Sequence, residues 1–485
     1  MSGKSAAPVL LLCLTGLSLL LSACSTVVDS HTQKTSLLAS WQAGREAETE
    51  RLLRNGLKRA EGSGDELMWL LENGIFEFNR GNLKESVRIF DRADHMMKEY
   101  DERPVISVRD ASSEVGSALL NPNVLPYKGY TRDRILVPFY QALAWLGLHR
   151  EEAFQVELQR MRNAQESASA RQARELAAEQ KHLADEQKQG AGSGISENRI
   201  RSNPNYRAAV RTMEEKARKA YGNSWNPAAL FLSGIGYLRR GDWENARIDF
   251  ERLYRALPNE PFLQRCYVTV LRKTGRPLPD ALREVRPLTA DLGRNMVYVI
   301  FANGRGAAFR QIRINLIVTG FAFPVCEYYP PPFRGLEISG GSERAVTFQL
   351  ADLDAILSQE HTALLPVRIA RIIVSYAVKE AASATAVALA WNADPLAGIL
   401  TLAGTSLYKQ LFNTADTRNW ELLSKEFQFA GIPMPEDRTV RIVPLLTAGR
   451  PGNAFRVVFS PGCTSAILYL SAPGNGAVRY QKFEF

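Results

Sequence analysis

Histidine and cysteine are scarce in this chain, which has five of each among its 485 residues. The histidines are scattered along the sequence, at His31, His95, His149, His182 and His361. Zinc and iron sites use ligands at characteristic close spacings, so the sequence indicates no metal site. It also lacks the GxSxG elbow of serine hydrolases and the Walker phosphate-binding loop. We therefore expect no metal, no cofactor and no catalytic residues in this protein.

A large excess of charge of one sign is also missing. Lysine and arginine total 60 and aspartate and glutamate total 51, a formal net charge of +9. This mild excess is typical of a soluble protein, although it would also suit anionic lipid headgroups, acidic glycans or an acidic partner. Hydrophobic residues make up 45% of the chain and charged residues 23%. These values predict a globular protein of about three domains and exclude collagen-like, wholly disordered and multi-span membrane proteins.

The first 24 residues have the pattern of an export signal. Lys4 precedes the apolar run Val9–Leu21, which is too short to span a bilayer comfortably, and small residues follow it as far as Cys24. The letters LSAC that end at Cys24 resemble the lipobox of bacterial lipoproteins. The resemblance implies cleavage between Ala23 and Cys24 and acylation of Cys24. The alternative is an uncleaved signal anchor with an ordinary cysteine.

Cleavage and acylation define the location that we expect. They predict a signal peptide over residues 1–23 and a lipidated tether over residues 24–34. Ser25 stands where enterobacterial lipoproteins of the inner membrane carry aspartate, which implies a lipid anchor in the outer membrane, with the protein facing the periplasm. Because the chain is exported, we expect no nucleic acid among its partners.

Three cysteines remain after Cys13 leaves with the signal and Cys24 is acylated. Cys326 and Cys463 both lie in a β-rich half of the chain, and the compartment is oxidising, so a disulfide between them is a candidate. Their spacing does not prove the pair. Cys266 lies in a helical pattern and is expected to be a small buried hydrophobic residue.

Repeated helix pairs are expected in the first part of the chain, over residues 35–285. The clearest unit spans residues 227–260 and resembles the tetratricopeptide (TPR) repeat, which is about 34 residues long. Small residues are needed where its two helices touch, large ones fill the gaps beside them, and a proline ends the unit. The residues that carry this pattern are Gly234, Tyr237, Ala246, Phe250 and Pro258.

Two further units have the same rhythm. The unit near residues 67–100 carries Gly74, Phe90 and Ala93. The unit near residues 134–167 carries Ala153, and in it His149-Arg150 replaces the usual Gly-Asp turn. A polar helix and a glycine-rich linker are predicted over residues 162–195.

Stacked TPR units form a concave groove that binds peptides or partner segments. Its candidate binding residues lie on the first helix of each unit, at Asn73, Gln141 and Ser233. Tyr127 and Tyr130, in the segment between the first two units, are further candidates. The alternative for both tyrosines is that they pack this segment against the helices.

The last part of the chain, residues 286–485, has short runs rich in β-branched and aromatic residues, separated by glycine, proline and asparagine. They predict a sandwich or open barrel of strands, with a helical insertion over residues 364–412. The overall fold class is therefore α+β. Within the insertion, residues 381–407 carry one charge, Asp394. A helical hairpin packed under the sheet is favoured there over a membrane span.

Several segments together resemble a poorly characterised family of bacterial outer-membrane lipoproteins with TPR repeats. They are the repeats and the lipobox, the letters LPYKGY at 125–130, VYVIFANGRGAAFRQIRI at 297–314 and ADTRNW at 415–420. The resemblance covers most of the mature chain but implies no activity, since none is established for the family. Its implied partners are cell-envelope proteins, with peptidoglycan-synthesis or export machinery as candidates.

The favoured function is therefore a membrane-anchored periplasmic scaffold without catalysis, which binds envelope proteins through its TPR-like groove. The first alternative is a structural component of an envelope export or assembly machine. The second is a glycan-acting envelope enzyme, whose carboxylates would come from Glu337, Glu343, Asp352 and Asp354. A basic cluster at Arg305, Arg310 and Arg313 would suit a carboxylate or phosphate, but a solvated face explains it more simply.

Overall fold

The computed structural model describes residues 30–102, 126–188, 202–222, 225–315, 320–394, 397–398, 401–402, 415–474 and 478–485. The predicted signal peptide, with Ala23 and Cys24, lies outside them, as does the glycine-rich end of the predicted linker. The chain is α+β, with a helical N-terminal region and C-terminal sheets.

Among the described residues, ten α-helices precede the first strand. They are α1 (Ser30–Gln42), α2 (Glu46–Ala60), α3 (Glu66–Asn79), α4 (Leu83–Glu102), α5 (Thr131–Gly147), α6 (Glu151–Lys188), α7 (Pro204–Ala217), α8 (Pro227–Arg239), α9 (Trp243–Ala256) and α10 (Pro261–Lys273). Local sequence explains several of the starts. Asn203, Asn226 and Asp242 accept hydrogen bonds from backbone N–H groups of the helix that each one precedes.

The pairs α1–α2, α3–α4, α5–α6 and α8–α9 are joined by the same tight turn. In each, the second residue after the first helix has a positive φ angle: Gly44 (70°), Gly81 (83°), His149 (55°) and Gly241 (76°). Glycine adopts this conformation without steric cost. His149 therefore occupies the strained turn position in the one hairpin where the sequence departs from the usual glycine. Residues 35–60, which look like one helix in the sequence, are divided between α1 and α2 by this turn.

The C-terminal region contains two larger sheets and a two-stranded hairpin among its described residues. The strands are β1 (Met296–Asn303), β2 (Ala308–Asn315), β3 (Gly320–Glu327), β4 (Phe333–Gly340), β5 (Glu343–Val346), β6 (Phe348–Asp352), β7 (Glu426–Pro433), β8 (Thr439–Leu446), β9 (Phe455–Val458), β10 (Ala466–Ala472) and β11 (Arg479–Glu484). The first sheet has the order β11-β10-β1-β7-β6, and β1 pairs with β10 in parallel. The second sheet has the order β5-β4-β8-β9 and is antiparallel.

The first sheet lies between the helices and the second sheet. Alternate residues of β1 explain why: Tyr298 and Ile300 belong to the core shared with the helices, whereas Val297 and Val299 belong to the core shared with the second sheet. Because both faces are covered, every residue of β1 is buried. The helical core continues across the predicted boundary near residue 285, so the helices and the first sheet share one hydrophobic core.

The helical insertion differs from its predicted bounds of 364–412. Helix α11 (Leu353–Ala393) begins directly after β6, where Asp352 caps its N-terminus, and it is 41 residues long. Its end at Ala393 agrees with the turn expected beside Asp394. Its far end is not packed under the sheet, because Leu389 is 65% exposed and Trp391 is 44% exposed. Residues 403–414 of the insertion lie outside the described residues. Within the described part of the chain, we find no helix with the length and apolarity needed to cross a membrane.

The predicted disulfide between Cys326 and Cys463 is wrong. Both side chains are buried free thiols, as is that of Cys266. Cys326 packs in a third core formed by the β2–β3 hairpin, α7 and α11, whereas Cys463 packs in the core between the two sheets. Placement in two separate cores keeps the sulfur atoms apart, whereas a disulfide needs Cα atoms within about 7 Å.

Candidate functional site

The predicted packing residues hold two of the hairpins together. A Cβ atom on Gly74 of α3 would overlap the ring of Phe90 on α4, and one on Gly234 of α8 would lie 3.0 Å from the ring of Phe250 on α9. The other small and aromatic positions of these hairpins, Ala93, Ala246 and Tyr237, are also buried. Pro258 is exposed and lies two residues beyond the end of α9.

Ala153 does not have the packing role that its alignment predicted. Its side chain is only half-buried, whereas the next residue, Phe154, and Leu158 are fully buried on the same helix. The close contact between α6 and α8 is made instead at Gly236 of α8, where a Cβ atom would overlap the side chain of Leu158. The small residue at this contact therefore belongs to α8.

The predicted concave groove is occupied by the chain's own first sheet. Phe78 of α3 packs on Tyr469 with 5.1 Å between ring centroids. Phe139 of α5 packs on Phe427 at 5.2 Å. The same kind of contact recurs at α8, where the ring centroid of Phe231 lies 4.2 Å from that of Phe429 on β7. The first helices of the three hairpins are therefore buried between their partner helices and the sheet.

The three predicted groove residues accordingly bond within the protein. Gln141 is fully buried and donates to Asp91 at 2.6 Å, and Ser233 is buried and donates to Asp249 at 2.6 Å. Asn73 is half-buried and donates to a backbone carbonyl one turn earlier at 2.7 Å. Gln141 and Ser233 are not available to a partner, which corrects that prediction. The overlooked signal is that α8 is apolar on nearly every side, which is typical of a helix covered all round.

Tyr127 and Tyr130 pack their segment against the fold. The Tyr127 hydroxyl is buried and donates to Asp133 at 2.7 Å. The half-buried ring of Tyr130 lies 5.7 Å from that of Phe309 on β2. Burial raises the pKa of both phenols above their ordinary value, so both stay neutral.

The three segments that carry the family resemblance meet at one place. Arg132, which follows LPYKGY, is buried and donates to the Asn419 side chain of ADTRNW at 2.8 Å. Asn419 in turn donates to the carbonyl of Ala307, after the NGRG turn, at 2.7 Å. The backbone N–H of Gly306 donates to the carbonyl of Leu423 at 2.9 Å. A continuous hydrogen-bonded network therefore joins residues that are nearly 300 positions apart in sequence.

A group of four charges, Lys34, Glu72, Glu421 and Arg305, lies beside these contacts, and we call it the charge quartet. The first three side chains are buried and that of Arg305 is half-buried. Lys34 Nζ lies 2.9 Å from a carboxylate oxygen of Glu72 and 2.9 Å from one of Glu421. It also donates to the carbonyl of Asn419 at 2.5 Å. Arg305 lies 3.5 Å from the other oxygen of Glu421. Two cations and two anions alternate, so the quartet is neutral.

Burial and the neighbouring charges shift the pKa values of the quartet residues Lys34 and Glu72 in opposite directions. Burial raises the pKa of Glu72 above its ordinary range, although Lys34 acts to lower it. Burial also acts to lower the pKa of Lys34, but Glu421 and Glu72 outweigh it and leave that pKa raised. Glu72 accepts the backbone N–H groups of Glu421 and Leu422, at 2.8 and 2.9 Å. The quartet therefore fastens α1 and α3 to the segment that precedes β7.

Sequence analysis did not identify the quartet, although one signal was present. Glu72 is the single charge within the run LMWLLENGIF of α3. A charge on an otherwise apolar helix is seldom buried without a partner, so this residue predicts a hidden cation. Lys34 was instead assigned to the tether over 24–34. That prediction is corrected: α1 starts at Ser30 and the Lys34 side chain is fully buried.

Three further ion pairs, made by two basic residues, extend the network at the same end of the first sheet. Lys425 pairs with Asp354, which also accepts the backbone N–H of Ala307 at 2.7 Å. Arg418 lies 2.7 Å from Asp416 and 3.2 Å from Asp65 of the α2–α3 turn. Burial acts to raise the pKa of Asp416, but Arg418 outweighs it and lowers that pKa.

The residues proposed for chemistry are not brought together. Asp352 caps α11 and Asp354 is paired with Lys425, whereas Glu337 and Glu343 lie in the second sheet. Of the predicted basic cluster, Arg305 belongs to the quartet, and the side chains of Arg310 and Arg313 on β2 are exposed. Among the described residues, no group of three or more metal-ligating side chains could hold a metal ion.

Cavities add no ligand site at the network. The pocket beside it has a volume of about 10 Å³, which is too small for any ligand larger than a water molecule. A larger, open pocket of about 220 Å³ lies between α2 and α4 and is lined by Arg54, Leu57, Lys58, Glu61 and Arg92. What the network can do, therefore, is hold distant parts of the chain in fixed positions.

Comparisons with known proteins found no relative of this chain. No protein-family model matches the chain, and no match is found among the curated proteins or among the solved structures.

Proposed function

We propose that this protein is a lipid-anchored scaffold of the bacterial cell envelope. Acylated Cys24 holds it in the outer membrane, its folded body faces the periplasm, and it binds envelope proteins without catalysis. In this proposal the paired helices are TPR-like repeats and the two larger sheets form a sandwich. The shared hairpin turn and the Gly74–Phe90 and Gly234–Phe250 contacts support the repeat assignment.

One observation carries the proposal: the buried charge of Lys34 lies ten residues after Cys24. Helix α1 begins at Ser30, so six peptide units separate it from the cysteine. A fully extended chain of that length spans about 20 Å. With Cys24 acylated, the body is held close against the membrane surface, and a partner meets a fixed face of the protein.

The burial of the groove changes where a partner binds in this proposal. The first helices of the hairpins are covered by the sheet, so a partner binds the outward faces of the second helices or the second sheet. The proposed scaffold function is unchanged, but its binding surface is one of these outward faces instead of the groove.

The proposal is tested by crosslinking in living cells. The tagged full-length protein is crosslinked and purified, and the co-purifying proteins are identified by mass spectrometry. A matched Cys24→Ala variant is treated identically. Reproducible enrichment of one envelope protein, lost in Cys24→Ala, supports the scaffold function. Recovery of glycan or lipid without a protein partner would contradict it.

The exposed end of α11 favours a second candidate, a structural component of an envelope machine. Leu389 and Trp391 are exposed there, within a segment that carries one charge over residues 381–407. Large exposed apolar side chains that lie together are typical of contact with a membrane or a partner. Membrane association of the Cys24→Ala variant that resists alkaline carbonate would favour this candidate over the scaffold.

A further inference from the structure

We propose that the outer face of the second sheet binds an acidic segment of a partner polypeptide. The contact surface is a row of three arginines, Arg344, Arg441 and Arg456, which we call the arginine row. The proposal rests on the scaffold function and names the surface and the chemistry of its partner.

Strand register places the three arginines side by side. Ser339 of β4 lies opposite Arg344 of β5 on one side and opposite Arg441 of β8 on the other. Arg441 lies opposite Arg456 of β9. The residues next to them in sequence, Ala345, Ile442 and Val457, point into the core between the sheets. The arginines therefore share the opposite face, and all three are exposed.

The row has no internal counter-charge. Within the described part of the chain, no carboxylate lies within ion-pair distance of any of the three arginines. Glu337 is the acidic residue on the same face of these strands, and it lies one row away, opposite Val346 and Val443. Like charges placed directly opposite on neighbouring strands destabilise a sheet. The Arg441–Arg456 pair is therefore unfavourable in the isolated protein and becomes favourable when an anion neutralises it.

The dimensions of the row suit an extended acidic chain. Neighbouring strands lie about 4.8 Å apart, so Arg344 and Arg456, three strands apart, are separated by about 14 Å. In an extended segment, side chains four residues apart lie about 13 Å apart on one face. Carboxylates at alternate positions would thus meet the whole row in the forked geometry that guanidinium groups favour. Val346 and Val458, 56% and 59% exposed, provide apolar contacts at the two edges.

The position of the row favours a polypeptide over the anchoring membrane. Phe333, at the start of β4, accepts a hydrogen bond from Asn303 at the network end of the first sheet. Ser339, which lies in the row, is six residues farther along β4, or about 20 Å. The row therefore lies toward the end of the fold that is opposite Lys34 and the proposed lipid anchor. Its outward strand positions carry arginine, valine, serine, threonine and glutamate rather than the aromatic residues typical of membrane interfaces.

The test uses the complete mature chain and a fluorescent ten-residue peptide of alternating glutamate and valine. Its control peptide has glutamine in place of glutamate. The variant R344Q/R441Q/R456Q removes the row. The matched variant R51Q/R150Q/R207Q removes three exposed arginines outside the row, two on helices and one in a hairpin turn. We expect the row variant to bind the acidic peptide at least tenfold more weakly and the matched variant to bind within twofold of wild type. Binding should weaken steeply with salt and be absent for the glutamine peptide.

Three outcomes overturn the proposal: equal binding by the row variant, no binding by the wild type, or binding to phosphatidylglycerol vesicles without binding to the peptide. Thermal melting checks folding, and the row variant should melt at the same temperature as wild type or higher, because it relieves repulsion. In cells, an envelope partner that is lost in Cys24→Ala but kept by the row variant would overturn this surface while leaving the scaffold function intact. If the row variant loses peptide binding but no partner is crosslinked in cells, the arginine row is supported as an acidic-peptide site and the scaffold function is overturned.

Discussion

At the scale of single residues, close packing and buried charge carry the arrangement. Gly74 is a glycine because the ring of Phe90 occupies the space where a side chain would lie. Lys34 is a lysine because two buried carboxylates need one cation between them. The first requirement was visible in the sequence through the TPR pattern, whereas the second depends on Glu421, which lies 387 residues away and which no local pattern connects to Lys34.

Replacing Gly74 with leucine should destabilise the protein by about 1–3 kcal/mol, because the new side chain overlaps the Phe90 ring and forces the helices apart. The measurement is the free energy of unfolding in urea. Gly462 is the matched control, since nothing lies within 4 Å of the position of its Cβ. An unchanged stability for Gly74→Leu would show that this hairpin contact is misassigned.

Replacing Lys34 with methionine should lower the free energy of unfolding by about 3–5 kcal/mol, because it leaves the buried Glu72 without a cation and leaves Glu421 with Arg305 alone, 3.5 Å away. Without Lys34, Glu72 loses the charge that acts to lower its raised pKa, so it binds its proton more tightly in the folded state than in the unfolded state. Stability of the variant should therefore fall as pH rises above about 4.5 and recover in acid. The exposed Lys58→Met serves as control and should stay within about 0.5 kcal/mol. Equal effects of the two substitutions would remove the role given to the quartet.

At the scale of elements, helices were easier to predict than the surfaces they contact. The repeat pattern and its hairpin turns located α3, α4, α5, α8 and α9 near their observed bounds. The pattern did not locate β7, because its residues Glu426–Pro433 are buried on both faces and show little alternation. It also did not show that α11 starts eleven residues before the predicted insertion, since β6 leads directly into it.

The junction between α11 and α5 should respond to pH through Glu360. Its carboxylate accepts the backbone N–H of Thr131 at the start of α5, and burial raises its pKa to about 7. Between its ordinary value of 4.5 and 7, the folded protein binds this proton more tightly than the unfolded chain, so the contribution of Glu360 to stability falls as pH rises.

Glu360→Gln should remove this dependence while keeping an acceptor for Thr131. Relative to wild type, the variant should gain stability from pH 5 to pH 7, with a slope of at most about 1.4 kcal/mol per pH unit. Unfolding in urea at several pH values measures the difference. His361, also buried, with its pKa lowered to about 3, is present in both proteins and cancels in the comparison. Parallel curves for the two proteins would rule out this assignment.

At the scale of the whole molecule, three layers decide what is accessible. Helices, the first sheet and the second sheet are stacked, so the middle layer is hidden and the inner helices are covered. In the proposed function, the outer surfaces bind the partner and the lipid anchor holds the body at the membrane. The charge quartet connects these two aspects, because it fixes α1 near Cys24 to the rest of the fold.

Replacing Cys24 with alanine should abolish fatty-acid labelling and release the protein from the outer-membrane fraction, because two or more acyl chains are needed for stable anchoring. Cys13→Ala is the matched control, since this cysteine lies within the predicted signal peptide. It should leave labelling and fractionation unchanged. Continued outer-membrane fractionation of Cys24→Ala would refute the lipid anchor.

Local sequence by itself determined the α+β class, the three helical hairpins, the Gly74 and Gly234 contacts, and the lipobox-like signal that awaits its test. Each depends on residues within one segment or one helix pair, where propensity, periodicity and sterics act directly. Tertiary structure alone decided that the first sheet fills the groove, that Cys326 and Cys463 remain free thiols, and that Lys34 pairs with Glu72 and Glu421. These features depend on which distant surfaces cover one another. Apolar burial is non-directional. An apolar helix face in the sequence therefore indicates that the face will be buried, but it does not indicate which part of the chain will cover it.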